Sequence, residues 1–313
     1  MTIYVRRLTA AVCLGAALAG CGTGGGDGTR GGAGPGAGAT TSTSSSPTAT
    51  AVGAARGSAA PRPTPSQSAT AEPPTMAPGP AGLTPVFERA GSPTGPASGG
   101  KTVALTFDAD MTADQGPRAA RGERFDNPAL IATLRRLKVP STVFMTGRWA
   151  EEYPGQARSI GNDPLFEIAN HSYSHYAFAS PCYGLPEVGE DEMAADVGRA
   201  FAAFRRAGAS NVVPYFRFPG GCYDDDSLRA LAPMKVTAVQ WDVVSGDAFA
   251  KDPDAVVQQV LNGVRPGSLV VMHCTRSAAP VTERAIQRIV PQLRRRGYRF
   301  VKVSELMAGP RKR

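Results

Sequence analysis

Seven short apolar runs, separated by stretches with helical periodicity, limit how this 313-residue chain can fold more than any other feature. The runs are Thr102–Phe107, Ser141–Met145, Phe166–Ala169, Tyr215–Phe218, Val236–Trp241, Ser268–Met272 and Arg299–Val303. Asn127-Pro128 opens a helix in cap-then-proline order, with Leu130, Ile131, Leu134 and Leu137 on one face. Glu190–Ala207 carries Met193, Val197, Phe201 and Phe204 as a stripe and is ended by Gly208. Further helices are predicted near Trp149–Ile160, Ser227–Ala232, Asp254–Val264 and Val281–Arg296. This alternation predicts an α/β fold, a distorted (β/α) barrel of about seven strands. In such a barrel, chemistry gathers at the C-terminal strand ends. Asp108, Asp110, His171, His175, Arg217, Asp242, Asp247 and His273 all fall there. A doubly wound nucleotide-binding sheet is the competing fold, but no Gly-X-Gly-X-X-Gly follows the first strand.

The N-terminal third reads differently. Arg6 and Arg7 precede Leu8–Ala19, an apolar run of about a dozen residues that is too short to span a bilayer. Residues 1–20 are therefore read as a secretory signal peptide. Leu18-Ala19-Gly20-Cys21 resembles a bacterial lipobox, which implies lipidation of Cys21 and an extracytoplasmic protein anchored to the cell membrane, facing the cell wall. Residues 21–98 are nearly all Gly, Ala, Pro, Ser and Thr, with one hydrophobic patch near Leu83–Phe87. That composition predicts a disordered tether spanning roughly 50 Å. A single domain is expected over residues 99–310.

The formal net charge of +8 includes the basic runs Arg294–Arg296 and Arg311–Arg313, which read as solvated surface. No basic patch is interleaved with aromatics, so no nucleic-acid partner is expected, and no obligate protein partner is indicated. Of five cysteines, Cys13 leaves with the signal and Cys21 takes the lipid, leaving Cys182, Cys222 and Cys274. An oxidising compartment permits one disulfide with one thiol left over. Cys182 and Cys222, both in loops after candidate site segments, are the favoured pair. Cys-X-X-Cys spacing is absent, which argues against a thiolate zinc site.

Only three histidines occur, His171, His175 and His273, and each stands at a strand exit. Imidazole is both the commonest metal ligand and the group best suited to proton transfer near neutral pH. His171 and His175, four apart, are read as facing one point from a helical turn. Amide hydrolysis needs an activated water, a stabilised oxyanion and a proton for the departing amine. A divalent ion held by two imidazoles and a carboxylate meets the first two needs, and zinc suits such a donor set.

These residues resemble the NodB-homology polysaccharide deacetylases, carbohydrate esterase family 4, over about residues 100–305. Thr106-Phe107-Asp108-Ala109-Asp110 is similar to the family's first motif, and His171-Ser172-Tyr173-Ser174-His175 to the second. Arg217-Phe218-Pro219-Gly220-Gly221 resembles the third, Trp241-Asp242-Val243-Val244-Ser245-Gly246-Asp247 the fourth, and Val271-Met272-His273 the fifth. The resemblance implies a NodB-like barrel with Asp108 as general base, Arg217 pairing with it, and His171 and His175 as metal ligands. It implies His273 as the acid that protonates the leaving amine, oriented by Asp247. The N–H after Pro219, on Gly220, is implied at the oxyanion. Asp242 is read as loop support.

Three departures qualify the likeness. The family's first motif has two adjacent acidic residues, the second a metal ligand, whereas here Ala109 intervenes: either a slight shift of the loop lets Asp110 supply the missing oxygen, or the ion rests on two histidines plus water with weaker affinity. Ala248, followed by Phe249, stands where a tryptophan is usual, and Val271 replaces a leucine, so a less aromatic cleft is expected. The implied reaction removes N-acetyl groups from an amino-sugar polymer, peptidoglycan or another envelope glycan, and releases acetate. Two alternatives are an O-acetyl esterase of the acetyl-xylan type and a noncatalytic wall-glycan-binding lipoprotein.

Overall fold

The computed structural model describes residues 72–92 and 100–309. The signal peptide over 1–20, Cys21 and the tether as far as residue 71 lie outside the described residues. The strands are β1 (Val86–Phe87), β2 (Thr102–Ala109), β3 (Ser141–Met145), β4 (Phe166–Asn170), β5 (Val212–Phe216), β6 (Thr237–Val239), β7 (Val243–Val244), β8 (Ser268–His273) and β9 (Arg299–Phe300). All pair in parallel in the order β1-β6-β5-β4-β3-β2-β8-β7, with β9 beside the start of β2. Around them run α1 (Gly116–Ala120), α2 (Pro128–Arg136), α3 (Gly147–Glu152), α4 (Pro154–Gly161), α5 (Met193–Ala207), α6 (Asp225–Leu231), α7 (Pro253–Gly263), α8 (Thr282–Arg295) and α9 (Val303–Ala308). The sheet curls into a distorted (β/α) barrel, as the alternation predicts.

Strand pleating sends the two faces of β2 into different core clusters. On β2, Val103, Leu105, Phe107 and Ala109 join the larger cluster beneath the helices, with Leu130, Ile131 and Leu134 of α2. The intervening Ala104 joins a second cluster with Phe144, Ala169, Tyr215 and Leu269, the barrel interior. Thr106 and Asp108 share that inward face by the same two-residue period, so the top of the interior is polar.

Several expected boundaries move, each for a local reason. The single helix expected near Trp149–Ile160 is two, α3 and α4, because the residue before Pro154 is pushed out of the helical region; Tyr153 has ψ 57°. The strand expected over Arg299–Val303 stops at Phe300, since Val303 opens α9. Its N–H donates to Thr142 Oγ1 (2.9 Å), and that of Ser304 donates to Glu167 Oε1 (3.1 Å). Val243–Val244 adds a short strand beside β8 that its two residues do not announce.

The larger correction concerns residues 72–92, which composition assigns to the tether but which pack on the domain. Val86–Phe87 pairs with β6, and Phe87 is buried in the barrel interior. Tyr215 Oη donates to the Pro74 carbonyl (2.7 Å), and the Met76 N–H donates to Thr237 Oγ1 (3.0 Å). Beyond the strand, the Ala90 N–H donates to the Gly267 carbonyl (3.0 Å) just before β8. The segment thus reaches from β6 towards β8 across the gap in the sheet. At Gly267 (φ 85°) a Cβ would lie 2.4 Å from the Ala90 oxygen, so the approach requires glycine. Averaged composition hides this because a few apolar side chains, Phe87 and Ala90 fully buried and Met76, Leu83 and Val86 partly so, carry the packing. Among the described residues, no helix is long and apolar enough to cross a membrane.

Phe87→Ala is expected to destabilise the domain by about 3 kcal/mol, the cost of an aromatic-sized cavity. Deleting residues 72–92 is expected to cost more. Urea unfolding of the two variants against the parent protein measures both, and an unchanged midpoint would show that the segment only rests on the surface.

Candidate active site

Arg217, immediately after β5, is fully buried at the barrel mouth. Its Nη1 donates to Asp108 Oδ1 (2.5 Å), Nη2 to Thr106 Oγ1 (2.8 Å) and Nε to the Val239 carbonyl (3.2 Å). The guanidinium lies 3.8 Å from the Phe144 ring centroid. Burial pulls its pKa below the usual arginine value, while the Asp108 carboxylate resists the fall.

The Arg217 carbonyl in turn accepts from His171 Nδ1 (2.9 Å). With its proton on that nitrogen, His171 keeps a lone pair on Nε2, which lies 3.7 Å from Asp108 Oδ2. His175 Nε2 lies 3.8 Å from Asp110 Oδ2, and the two imidazole centroids are 5.0 Å apart. Both nitrogen–oxygen separations exceed a hydrogen bond. Burial lowers both histidine pKa values, against the pull of the facing carboxylates, which favours neutral, ligand-ready rings.

The histidine segment is not a helical turn, as its spacing suggests, but a loop. Ser172 and His175 both have positive φ (69° and 58°). Side chains enforce this uncommon backbone: Asn170 Oδ1 accepts from the Ser172 N–H (2.9 Å), Ser172 Oγ from that of His175 (2.8 Å), and Asp196 Oδ1 from that of Tyr173 (2.6 Å). The rings converge through this network.

Asp110 reaches the site by strand alternation. Ala109 points into the helix-side core, while Asp110, two residues past Asp108, returns to the inward side. Its backbone N–H donates to Thr275 Oγ1 (3.1 Å), and the Thr275 hydroxyl also bonds its carboxylate. Burial raises the Asp110 pKa, but the attraction of His175 and His273 and the Thr275 bond outweigh it, leaving the group below the usual carboxylate range.

Across the mouth, His273 ends β8. Its Nδ1 bonds Asp247 Oδ1 (2.7 Å) and its backbone N–H donates to Asp247 Oδ2 (2.7 Å). Thr282 Oγ1 (2.7 Å) and Ser245 Oγ (2.9 Å) complete the carboxylate's partners. Burial disfavours the imidazolium, but the Asp247 charge and hydrogen bond win, pushing His273 up to about 10. The other nitrogen, Nε2, is left to pass a proton.

Pro219 and Gly220, two and three residues beyond Arg217, lie in a single tight turn, with Gly220 exposed at φ 65°. Cys182 and Cys222 form the disulfide, and Cys274 is a buried free thiol. Asp242 accepts from the Leu269 N–H (2.7 Å) and Ser268 Oγ (2.9 Å), away from the other carboxylates. The sequence gives no role to three threonines of the site: Thr275 and Thr282 bond the Asp110 and Asp247 carboxylates, and Thr106 accepts from the Arg217 guanidinium that holds Asp108. For Thr106 a signal existed, two residues before Asp108 on one face.

Residues 95–239 match the family model for polysaccharide deacetylases. The chain is 29% identical over 211 residues to a chitooligosaccharide deacetylase of Sinorhizobium fredii, spanning 64% of this chain and 89% of that one. It is 28% identical over 212 residues to a peptidoglycan-N-acetylglucosamine deacetylase of Bacillus cereus, spanning 67% and 70%. It also resembles the crystal structure of a mutant carbohydrate esterase family 4 pseudoenzyme of Bacillus anthracis with restored activity (26% identity, TM-score 0.57, 72% of each chain). The folded part of this chain has the NodB-like (β/α) barrel of the carbohydrate esterase family 4 structures and is similar in sequence to polysaccharide deacetylases. By class it is a hydrolase acting on amide bonds.

His273 titrates near 6.5 in an unfolded chain, so a folded pKa of about 10 means that folding tightens its proton. The stability this contributes is complete below about pH 6.5 and is lost as pH rises through about 10. Asp247→Asn is expected to return the imidazole towards the ordinary histidine range and to shift that alkaline loss to lower pH. Imidazole NMR titration and urea midpoints across pH measure the two effects, and an unmoved titration would remove Asp247 as the cause.

Proposed function

We propose that this protein is a metal-dependent N-deacetylase of amino-sugar polymers, peptidoglycan or another envelope glycan, releasing acetate and leaving a free amine. The observation that carries the reading is the convergence of Asp108, Asp110, His171 and His175 at one strand-end site, with the Asp247–His273 pair across from them. Neutral imidazoles facing carboxylates at distances too long for hydrogen bonds fit a divalent cation chemically. No three such side chains among the described residues are drawn into a closed coordination shell. His171, His175 and Asp110 would hold the ion, zinc by donor preference. When bound, it supplies Lewis acidity towards the acyl oxygen and lowers the pKa of a water.

The remaining roles fall to the chain itself. Asp108 has Oδ1 fixed by Arg217, so Oδ2 is the oxygen free to take a proton from the attacking water. The Gly220 N–H is the donor offered to the developing oxyanion. His273, held protonated by Asp247, gives its Nε2 proton to the departing amine. A signal peptide over 1–20 and lipid at Cys21 would hold this head outside the membrane beside the wall. Ala109 favours a noncatalytic reading, since the usual second acidic residue is missing; Asp110 opposite His175 counts against it.

Acetate release from N-acetylglucosamine oligomers is expected to stop with a chelator and to return with added zinc or cobalt. Asp108→Asn is expected to lower kcat at least about 100-fold with metal content retained, whereas Asp110→Ala is expected to lower metal content itself. Release from O-acetylated xylan but not from the oligomers would replace the N-deacetylase reading with an esterase. A purified protein without metal and without acetate release on either substrate would remove the enzymatic reading of this chain.

A further inference from the structure

We propose that Tyr183, held over the Pro219–Gly220 turn by the Cys182–Cys222 disulfide, is a stacking platform for a sugar ring of the polysaccharide beside the scissile acetyl group. This role rests on the deacetylase reading of the site and deepens it. Two large hydrophobic side chains stand out as exposed among the described residues, Phe249 at 90% and Tyr183 at 69%. Phe249 ends a short turn after Asp247. Tyr183 has a rigid mount.

That mount is built from several contacts. The Leu185 N–H donates to the Cys182 carbonyl (2.9 Å), closing a four-residue turn around Tyr183 and Gly184. Both central residues have positive φ, 47° and 73°. Glycine or asparagine would hold the first position at lower cost, and a bulky residue there is an outlier. Such strain persists only where the surroundings enforce it, and it collects at ligand-binding positions. Here the base of the loop is closed by Ala177 N–H to Pro186 (2.7 Å) and Val188 N–H to Ala177 (3.0 Å). Ala177, Ala179, Cys182 and Cys222 form a small buried cluster of their own.

Gly220 shows where the ring lies. A Cβ on Gly220 would sit 2.6 Å from Cys182 Sγ and 3.2 Å from Tyr183 Cδ2, so the sulfur and the ring edge occupy the space a side chain would take. The ring therefore abuts the residue whose N–H is the oxyanion donor, three positions past Arg217. Pyranose rings present faces of C–H groups that pack on an aromatic plane. A tyrosine offers that plane with only two rotatable bonds to immobilise and a hydroxyl compatible with water.

Calorimetric titration with the N-acetylglucosamine tetramer tests the platform separately from turnover. Tyr183→Ala is expected to weaken binding about five-fold or more, the scale of one lost aromatic contact. KM for acetate release from the tetramer should rise in step, and Tyr183→Phe and Tyr183→Trp should restore both. Equal affinity of the parent and Tyr183→Ala, or no tetramer binding by the parent, overturns the proposal. A Tyr183→Phe variant as weak as Tyr183→Ala overturns stacking in favour of the hydroxyl. A parent protein that binds the tetramer but releases no acetate sinks the deacetylase reading, while the affinity comparison still decides the platform.

Discussion

The barrel mouth is organised around one buried guanidinium. A charge as deeply buried as that of Arg217 is tolerable only when it is paired and hydrogen-bonded, and breaking such a pair typically costs about 3–5 kcal/mol. Its partners come from separate elements: Asp108 and Thr106 on β2, the Val239 carbonyl on β6, and the Phe144 ring on β3. Its own backbone binds β4 and the histidine loop, donating from N–H to the Asn170 carbonyl (2.9 Å) and accepting from His171 Nδ1. One residue thus sets the direction of the candidate base and the orientation of a candidate metal ligand together. A shift of Arg217 could not move one without the other.

Three aspartates at this mouth are given different characters by what surrounds them. Asp247 is enclosed by two hydroxyls, an N–H and an imidazole, all donating to it, so it stays charged and holds the proton on His273. Asp110 faces histidines with one oxygen and Thr275 with the other. Asp108 has one oxygen clamped by Arg217 and the other beside His171. Groups of one chemical type in different settings are how a fold separates acid, base and ligand functions at a single pH.

Much of this was legible in the chain. The two-residue strand period already implies that Asp110, and not Ala109, lies on the same side as Asp108, so an inserted alanine does not by itself remove a carboxylate from the site. The clustering of all three histidines at strand exits marked the mouth before any coordinate. Other features were not legible because they depend on distant partners. The loop holding His171 and His175 takes its shape from Asn170, Ser172 and Asp196, and Asp196 lies on α5. Residues 72–92 looked like tether because local composition cannot register that Phe87 fills a barrel interior built by residues far along the chain.

By itself, the order of residues determined the alternation of strands and helices, the inward and outward faces of each strand, and which polar groups stand at strand ends. Those follow from backbone periodicity and hydrophobic patterning, which are local. Only the tertiary structure decided which oxygen faces which nitrogen, which carboxylate keeps a histidine protonated, and where the disulfide seats Tyr183. Those depend on burial and on charges brought together from positions as far apart in sequence as Asp108 and Arg217. Electrostatic interaction and desolvation act through space, so they exist only once the chain has closed.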